Sequence, residues 1–448
     1  MQQRMIVAIL VMLVGAIPPT MAHAAAEYAT FPLVQDSLPP DIPIVHDSCP
    51  LPPTSATSIS TGAVEVGMSF GKVIIADQYI RRWLVARAMR TLHLAYRYRT
   101  QAHPTDTIAE AYNYPEWTAT LLWGDYSGVH MQKKRDPAWG LLQPVDYTSS
   151  MGHVFSGYAS FSRLLLRHTR WAMGYAMEVG LAYNTHPYHP HTNSDNELTG
   201  SHLLIHFGAS LWASYRFHRQ WSLRADFAFR HVSNGALDRP NKGANTLAPT
   251  FALQYDLTPY TPQHYTHPTP RAFKPYWYTT LAATLGGKAL LEEWLITQFH
   301  TPPHATDYRT SHFRIRPALG LQADVMRRYE RRWASGIGID LFYASYAKRV
   351  QALDATHPLG KQLRHKAWSV GLAAKHEAFY GRLSLYMALG YYLYRHMGFT
   401  AQSEETRYYE RIGLKYRLPW CKGIAIGAGV KAHGTKADLT EVFLGIEL

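Results

Sequence analysis

The chain has 448 residues, a net charge of +13 and 47% hydrophobic against only 17% charged residues, which excludes a disordered chain of low apolar content and high net charge. Aromatics reach 13%, with 30 Tyr, yet mean hydropathy is −0.22. Beyond the N-terminus no stretch approaches the roughly 18 consecutive apolar residues of a membrane-spanning helix, which leaves a large soluble all-β domain or a barrel that alternates apolar and polar residues.

Residues 1–24 read as a secretory signal peptide. Arg4 gives the positive start, residues 5–17 a short apolar run, and Ala22-His23-Ala24 a small-x-small site with cleavage after Ala24. Residues 25–61 follow as a proline-rich arm, in which Pro32, Pro39, Pro40, Pro43, Pro50, Pro52 and Pro53 preclude helix and central strand. Cys49 in this arm and Cys421 could pair in an oxidising compartment, but spacing does not show that they meet. Lysines and arginines are spread along the chain without a recognition motif, so anionic lipid, not nucleic acid, is the expected partner of an exported basic protein.

From residue 62 onward strict alternation dominates. Residues 62–98 are weakly patterned, and residues 112–117 read as a loop or plug. Over 171–183 the odd positions Trp171, Met173, Tyr175, Met177, Val179, Leu181 and Tyr183 face small or polar even ones; 203–217 repeats the split. It recurs at Phe313, Ile315, Leu319 and Leu321, at Ile337, Ile339 and Leu341, at Leu383 to Leu389, and at Val442, Leu444, Ile446 and Leu448. Successive strand residues point to opposite faces, so each segment has one greasy and one polar face. Segments of roughly ten to fifteen residues with terminal aromatics suit tilted transmembrane strands better than the shorter strands of a sandwich. Short turns near 167–170, 217–220, 378–381 and 418–422 alternate with long connections at 184–201, 234–246, 290–310 and 351–364, which would be periplasmic and extracellular respectively. The proline-rich link 258–275 is then an unusually long periplasmic connection. The expected fold is all-β: one transmembrane antiparallel barrel over 62–448 of about fourteen strands, within a range of twelve to sixteen.

The segment beginning at Trp221 carries chemistry. Its odd face reads Trp221, Leu223, Ala225, Phe227, Phe229, His231, Ser233; Arg224, Asp226 and Arg230 on the even face, with Glu178, read as a lumen ion network. Residues i and i+2 share a face, so the imidazole can reach the hydroxyl, and a histidine base with a serine nucleophile is the minimum for acyl transfer. A polar pair on a lipid face near the long-loop end points to a lipid ester of the outer leaflet. His186, His189, His191 and His202 could ligate a metal, but loop histidines among 24 are more often solvated, and no metal is assigned.

The motif His231-Val232-Ser233-Asn234-Gly235, followed by Pro240-Asn241-Lys242-Gly243-Ala244-Asn245, resembles the lipid A 3-O-deacylase family; so does residues 180–188, Gly180 to Tyr188. The resemblance covers about 64–257, with further strands over 275–448. It implies an acyloxyacyl-hydrolase-type outer-membrane barrel that hydrolyses the ester-linked 3-hydroxyacyl chain at the 3-position of lipid A without a cofactor. Ser233 would be nucleophile and His231 general base, with Asn234, Gly235 and Asn241 around the oxyanion and substrate. The family's smaller members carry a glutamate where this chain has Asn245. Asparagine can orient an imidazole without neutralising it, and Asp238 in the same loop is the first candidate for a substitute acid. The family's barrel has eight strands, fewer than the count reached here. Partners implied are lipid A or lipopolysaccharide, the outer-membrane bilayer and the barrel-assembly machinery, with homodimerisation open. The rival reading is a non-enzymatic barrel: channel, scaffold or inactive relative.

Overall fold

A computed structural model of the chain describes residues 62–448 except 76–77, 101–105, 135–147, 260–271, 357–362, 404 and 435. The signal peptide, the proline-rich arm and Cys49 lie outside the described residues. The chain is all-β, but the expectation of one barrel of about fourteen strands is overturned: sixteen strands close into two barrels of eight. The first comprises β1 (Gly62–Val73), β2 (Leu84–Arg99), β3 (Glu116–Met131), β4 (Ser149–Arg167), β5 (Trp171–Asn184), β6 (Leu203–Arg216), β7 (Trp221–Ser233) and β8 (Ala244–Asp256). The second comprises β9 (Tyr276–Lys288), β10 (Arg316–Arg328), β11 (Trp333–Ala344), β12 (His365–Tyr380), β13 (Leu383–Met397), β14 (Tyr408–Arg417), β15 (Ile424–His433) and β16 (Lys436–Glu447).

Closure is set by two pairings. β1 lies between β2 and β8, from Ala63 opposite Asp256 to Val73 opposite Thr246. β9 lies between β10 and β16, with Leu285 opposite both Leu319 and Val442. Alternation reports which face a side chain takes; it says nothing about which strand an edge will meet, so it cannot separate one barrel from two. The undercount arises in 62–98, where register shifts between Leu84 and Ala86 and between Arg87 and Arg90 in the β2–β3 pair break the phase.

Eight strands leave an interior just wide enough for side chains to fill. Charges in so narrow a lumen must be paired. In the first barrel Arg97 lies 2.6 Å from Glu65 and 3.1 Å from Glu116, Arg230 lies 3.0 Å from Glu178, and Arg224 3.2 Å from Asp226. In the second, Arg411 holds Glu441 at 2.7 Å and Asp340 at 3.4 Å, and Lys415 holds Glu377 at 3.1 Å. The outer faces carry Leu121, Leu211, Phe227, Leu389 and Leu444, each more than half exposed, as hydrocarbon contact requires.

Most long connections of both barrels gather at one end, opposite the short turns at 168–170, 217–220, 329–332, 381–382 and 418–423. By the rule for such barrels the long-loop end is extracellular. The barrels belong to one compact unit and touch at both ends. At the short-turn end Tyr112, which follows the short helix α1 (Thr107–Ala111), packs against Phe161, Trp333 and Tyr380, and Trp117 packs against Tyr380. Residues 112–117 are therefore not a plug: two of their rings fill the seam between the barrels. At the long-loop end Tyr188 donates to the Arg309 carbonyl at 2.6 Å and meets Trp294 edge to face.

Arg411→Met leaves the Glu441 carboxylate without its guanidinium in the lumen. Urea unfolding of the reconstituted variant is expected to lose about 3–5 kcal/mol of stability, and the double variant Arg411→Met/Glu441→Gln to recover most of it.

Candidate active site

Three adjacent strands assemble the site on the outer wall of the first barrel. In the β6–β7–β8 register Phe207, His231 and Asn245 stand abreast, and Ile205 stands beside Ser233 one step nearer the strand end. Trp221, Leu223 and Phe227 lie on the same face toward the other end and are exposed. Parity alone thus puts the imidazole and hydroxyl on the hydrocarbon side, at the long-loop end. The Phe207 ring lies 5.0 Å from the imidazole. Gly243, at φ +72°, covers the other side; a Cβ there would lie 2.5 Å from His231 Cε1, so the position excludes a side chain.

His231 Nε2 lies 2.8 Å from Ser233 Oγ and its Nδ1 lies 2.7 Å from Asn245 Oδ1. An amide oxygen can only accept, so Nδ1 carries the proton and Nε2 offers its lone pair to the serine hydroxyl. This is the tautomer a general base requires. Ser233 is only 6% exposed. The loop 234–243 that follows it is held by Lys242 N–H donating to the Glu197 carbonyl and Gly243 N–H to the Leu198 carbonyl.

The turn after the serine is arranged around an unpaired donor. Asn234 N–H donates to Asn241 Oδ1 at 3.0 Å, and Ala236 N–H donates to Asn234 Oδ1 at 3.1 Å. That second bond fixes which way the Asn234 amide points and leaves its Nδ2 buried with no partner among the described residues. An unsatisfied buried donor costs stability, and on the residue that follows the serine it is a candidate for stabilising developing negative charge.

The other sequence-selected residues separate. Asp238 accepts from Arg239 N–H at 2.8 Å and has no hydrogen bond to His231 among the described residues; Asn245 holds the place beside the imidazole. Burial pushes the Asp238 carboxyl up to about 6. His186, His189 and His202 bond within or next to their own loop, to Thr185, Thr192 and the Asn184 carbonyl. Glu405, His433 and Asp438 could converge on a cation, but Arg395 pairs with Glu405, and Lys288 and Lys431 with Asp438. In the second barrel β15 ends with Val430 and Ala432 outward and His433 turned inward to Tyr392 Oη, so the strand corresponding to β7 lacks the pair.

Contacts that the sequence could not suggest come from the second barrel: Thr440 Oγ1 donates to the Gly235 carbonyl and Ala289 N–H to the Ala236 carbonyl, both at 2.8 Å. Their partners are 205 residues apart in the first case, and no motif joins them.

Residues 93–254, in the first barrel, match the family model described as Lipid A 3-O-deacylase (PagL). Residues 279–448, in the second, match that described as Acyloxyacyl hydrolase, C-terminal domain. No curated protein matches the chain. Among solved structures the chain is similar to the outer membrane enzyme PagL, at 12% identity over 42% of this chain and 97% of that one, with a TM-score of 0.26. It is similar to a mutant ferric enterobactin receptor of Pseudomonas aeruginosa at 7% identity, over 87% of this chain and 80% of that one, TM-score 0.21. It is also similar to the outer membrane protein Omp33 of Acinetobacter baumannii at 7% identity, over 87% and 98%, TM-score 0.14.

Because the Asp238 carboxyl ionises near 6 in the fold and near 3.8 when exposed, the folded protein binds the extra proton between those values, and stability falls as pH rises through that window. Asp238→Asn removes the penalty. Its gain in urea midpoint over the parent is expected to be absent below about pH 4, to grow up to about pH 6 and to stay constant above.

Proposed function

From the match of residues 93–254 to the lipid A 3-O-deacylase model and of residues 279–448 to the acyloxyacyl hydrolase C-terminal domain model, we propose that the first barrel is a serine esterase removing an ester-linked 3-hydroxyacyl chain from lipid A. The protein resides in the bacterial outer membrane. The observation that carries the reading is the outward-facing chain of contacts Asn245–His231–Ser233 beside the unpaired Asn234 amide, at the long-loop end of a lipid-facing wall.

The substrate ester would lie with its acyl chain along Phe229 and Phe227 and its sugar toward the loops. Ser233 Oγ attacks the carbonyl carbon as His231 Nε2 takes the hydroxyl proton. The carbonyl oxygen becomes an oxyanion, for which Asn234 Nδ2 is the donor left free. As the intermediate collapses, the C–O bond to the sugar breaks and the protonated Nε2 returns its proton to the sugar oxygen, leaving an acyl-serine. Water, deprotonated by the same nitrogen, attacks the acyl-serine; the released Ser233 oxygen recovers a proton and the fatty acid departs. Asn245 holds the imidazole in the right tautomer throughout but supplies no charge to the imidazolium. The side chains packed into both lumens give no support to a channel.

Purified full-length protein in detergent, incubated with lipid A, is expected to release one 3-hydroxyacyl chain, read by mass spectrometry. Ser233→Ala is expected to lower the rate by at least about a thousandfold with folding unchanged, and full activity in that variant would remove the proposed nucleophile. Asn234→Ala should cost about a hundredfold to a thousandfold in kcat. Asn245→Glu, which places a carboxylate beside Nδ1, should raise kcat by about tenfold or more, since an amide in place of the acid costs about ten-thousandfold in one protease triad.

A further inference from the structure

The second barrel has no catalytic pair on β15, yet it touches the first at the turn that follows the nucleophile. We propose that it is part of the active site, with Thr440 on β16 acting as a positioning residue for the oxyanion donor; this rests on the esterase reading above.

One peptide group links Thr440 to the Asn234 amide. The Gly235 carbonyl and the Ala236 N–H belong to the same planar unit. On one side Thr440 Oγ1 donates to that carbonyl at 2.8 Å; on the other the Ala236 N–H donates to Asn234 Oδ1 at 3.1 Å. Pinning the plane from the second barrel therefore fixes the direction of the Asn234 amide, whose Nδ2 is the buried, unpaired donor. Bonds linked in this way also polarise one another, which strengthens the hold on the amide oxygen.

The hold continues into the next peptide. Ala289, just beyond β9, donates its N–H to the Ala236 carbonyl, and its own carbonyl accepts from Arg239 Nε at 2.9 Å. Two consecutive carbonyls of the turn are thus fixed by the other barrel. The fit is close: a Cβ on Gly235, at φ +63°, would lie 2.2 Å from Thr440 Oγ1. Gly235 and Ala236 both have positive φ, a conformation that an L-alanine takes at a cost, so external bonds are needed to keep the turn in place.

A second serine–histidine contact shows what the clamp adds. Ser335 Oγ lies 2.9 Å from His376 Nδ1 on the wall of the second barrel, but Ser335 sits within the β11 ladder, with no following turn to offer donors. Ser233 ends its strand, and its turn is braced from outside.

The test uses the full chain with Thr440→Val, which removes the hydroxyl at nearly constant volume, and Thr440→Ser, which keeps it. Folding is checked by heat-modifiable migration. The valine variant is expected to lose about tenfold in kcat with KM within about twofold, the worth of one hydrogen bond, and the serine variant to recover most of it. Hydrogen exchange at the Ala236 amide should quicken about tenfold in the valine variant alone. In an Asn234→Ala background Thr440→Val should have no further effect on kcat, since the group it positions is gone. Unchanged kcat and exchange in the valine variant, or effects that multiply in the double variant, would overturn the proposal. Should the wild type release no acyl chain, the esterase reading fails, and the exchange measurement still decides whether Thr440 holds the turn.

Discussion

Closing β1 onto β8 fixes the parity of every side chain in the first barrel. With no edge left, each strand residue faces either the narrow lumen or the outside of the barrel, and a shift of one position would exchange the two sets. Glu65, Arg97, Glu178 and Arg230 can be charged because the inner face brings them together; Val66, Phe227 and Phe251 can be bare because the outer face meets lipid. His231 and Ser233 take their orientation from the same rule, since they continue the odd row of β7. Their placement on the outer face is a consequence of where the sheet closes.

Much of this was legible in the sequence because alternation is a local property. β5, β6 and β7 could be read almost residue by residue, including the inner position of Glu178, Arg224, Asp226 and Arg230. The His231–Ser233 pair was legible for the same reason, and Asn245 through its motif. Closure was not legible, because pairing Ala63 with Asp256 joins residues from opposite ends of a half-chain through backbone bonds that leave no mark on composition. The register shifts between β2 and β3 break the phase of β2 and so blur the strand count there. Asp238 was chosen for its charge and nearness in sequence; the structure turns it to Arg239 and brings Asn245 to the imidazole through cross-strand register. Thr440 lies beyond any reading of local pattern.

The lipid-facing position of the pair raises an energetic difficulty, since polar groups in hydrocarbon are costly unless bonded. The site meets it by concealment and pairing. Both imidazole nitrogens are engaged, Phe207 and Gly243 lie against the ring, and little of Ser233 is exposed. The exception is the Asn234 amide. Its Nδ2 is buried with no partner among the described residues, which costs stability, and on the esterase reading a developing oxyanion would offset that cost.

Two barrels of similar build but unequal chemistry then make physical sense as a division of labour. An isolated eight-stranded barrel holds its wall rigidly but leaves its loops to support themselves. Here the β5–β6 loop holds the 234–243 turn through Glu197 and Leu198, and the second barrel holds it through Ala289 and Thr440. The rings of Tyr112, Trp333 and Tyr380 join the barrels again at the opposite end, so the brace has two points of attachment along the membrane normal. On the esterase reading the second barrel has a reason to retain its fold: through Thr440 it holds the Gly235–Ala236 peptide plane that follows Ser233.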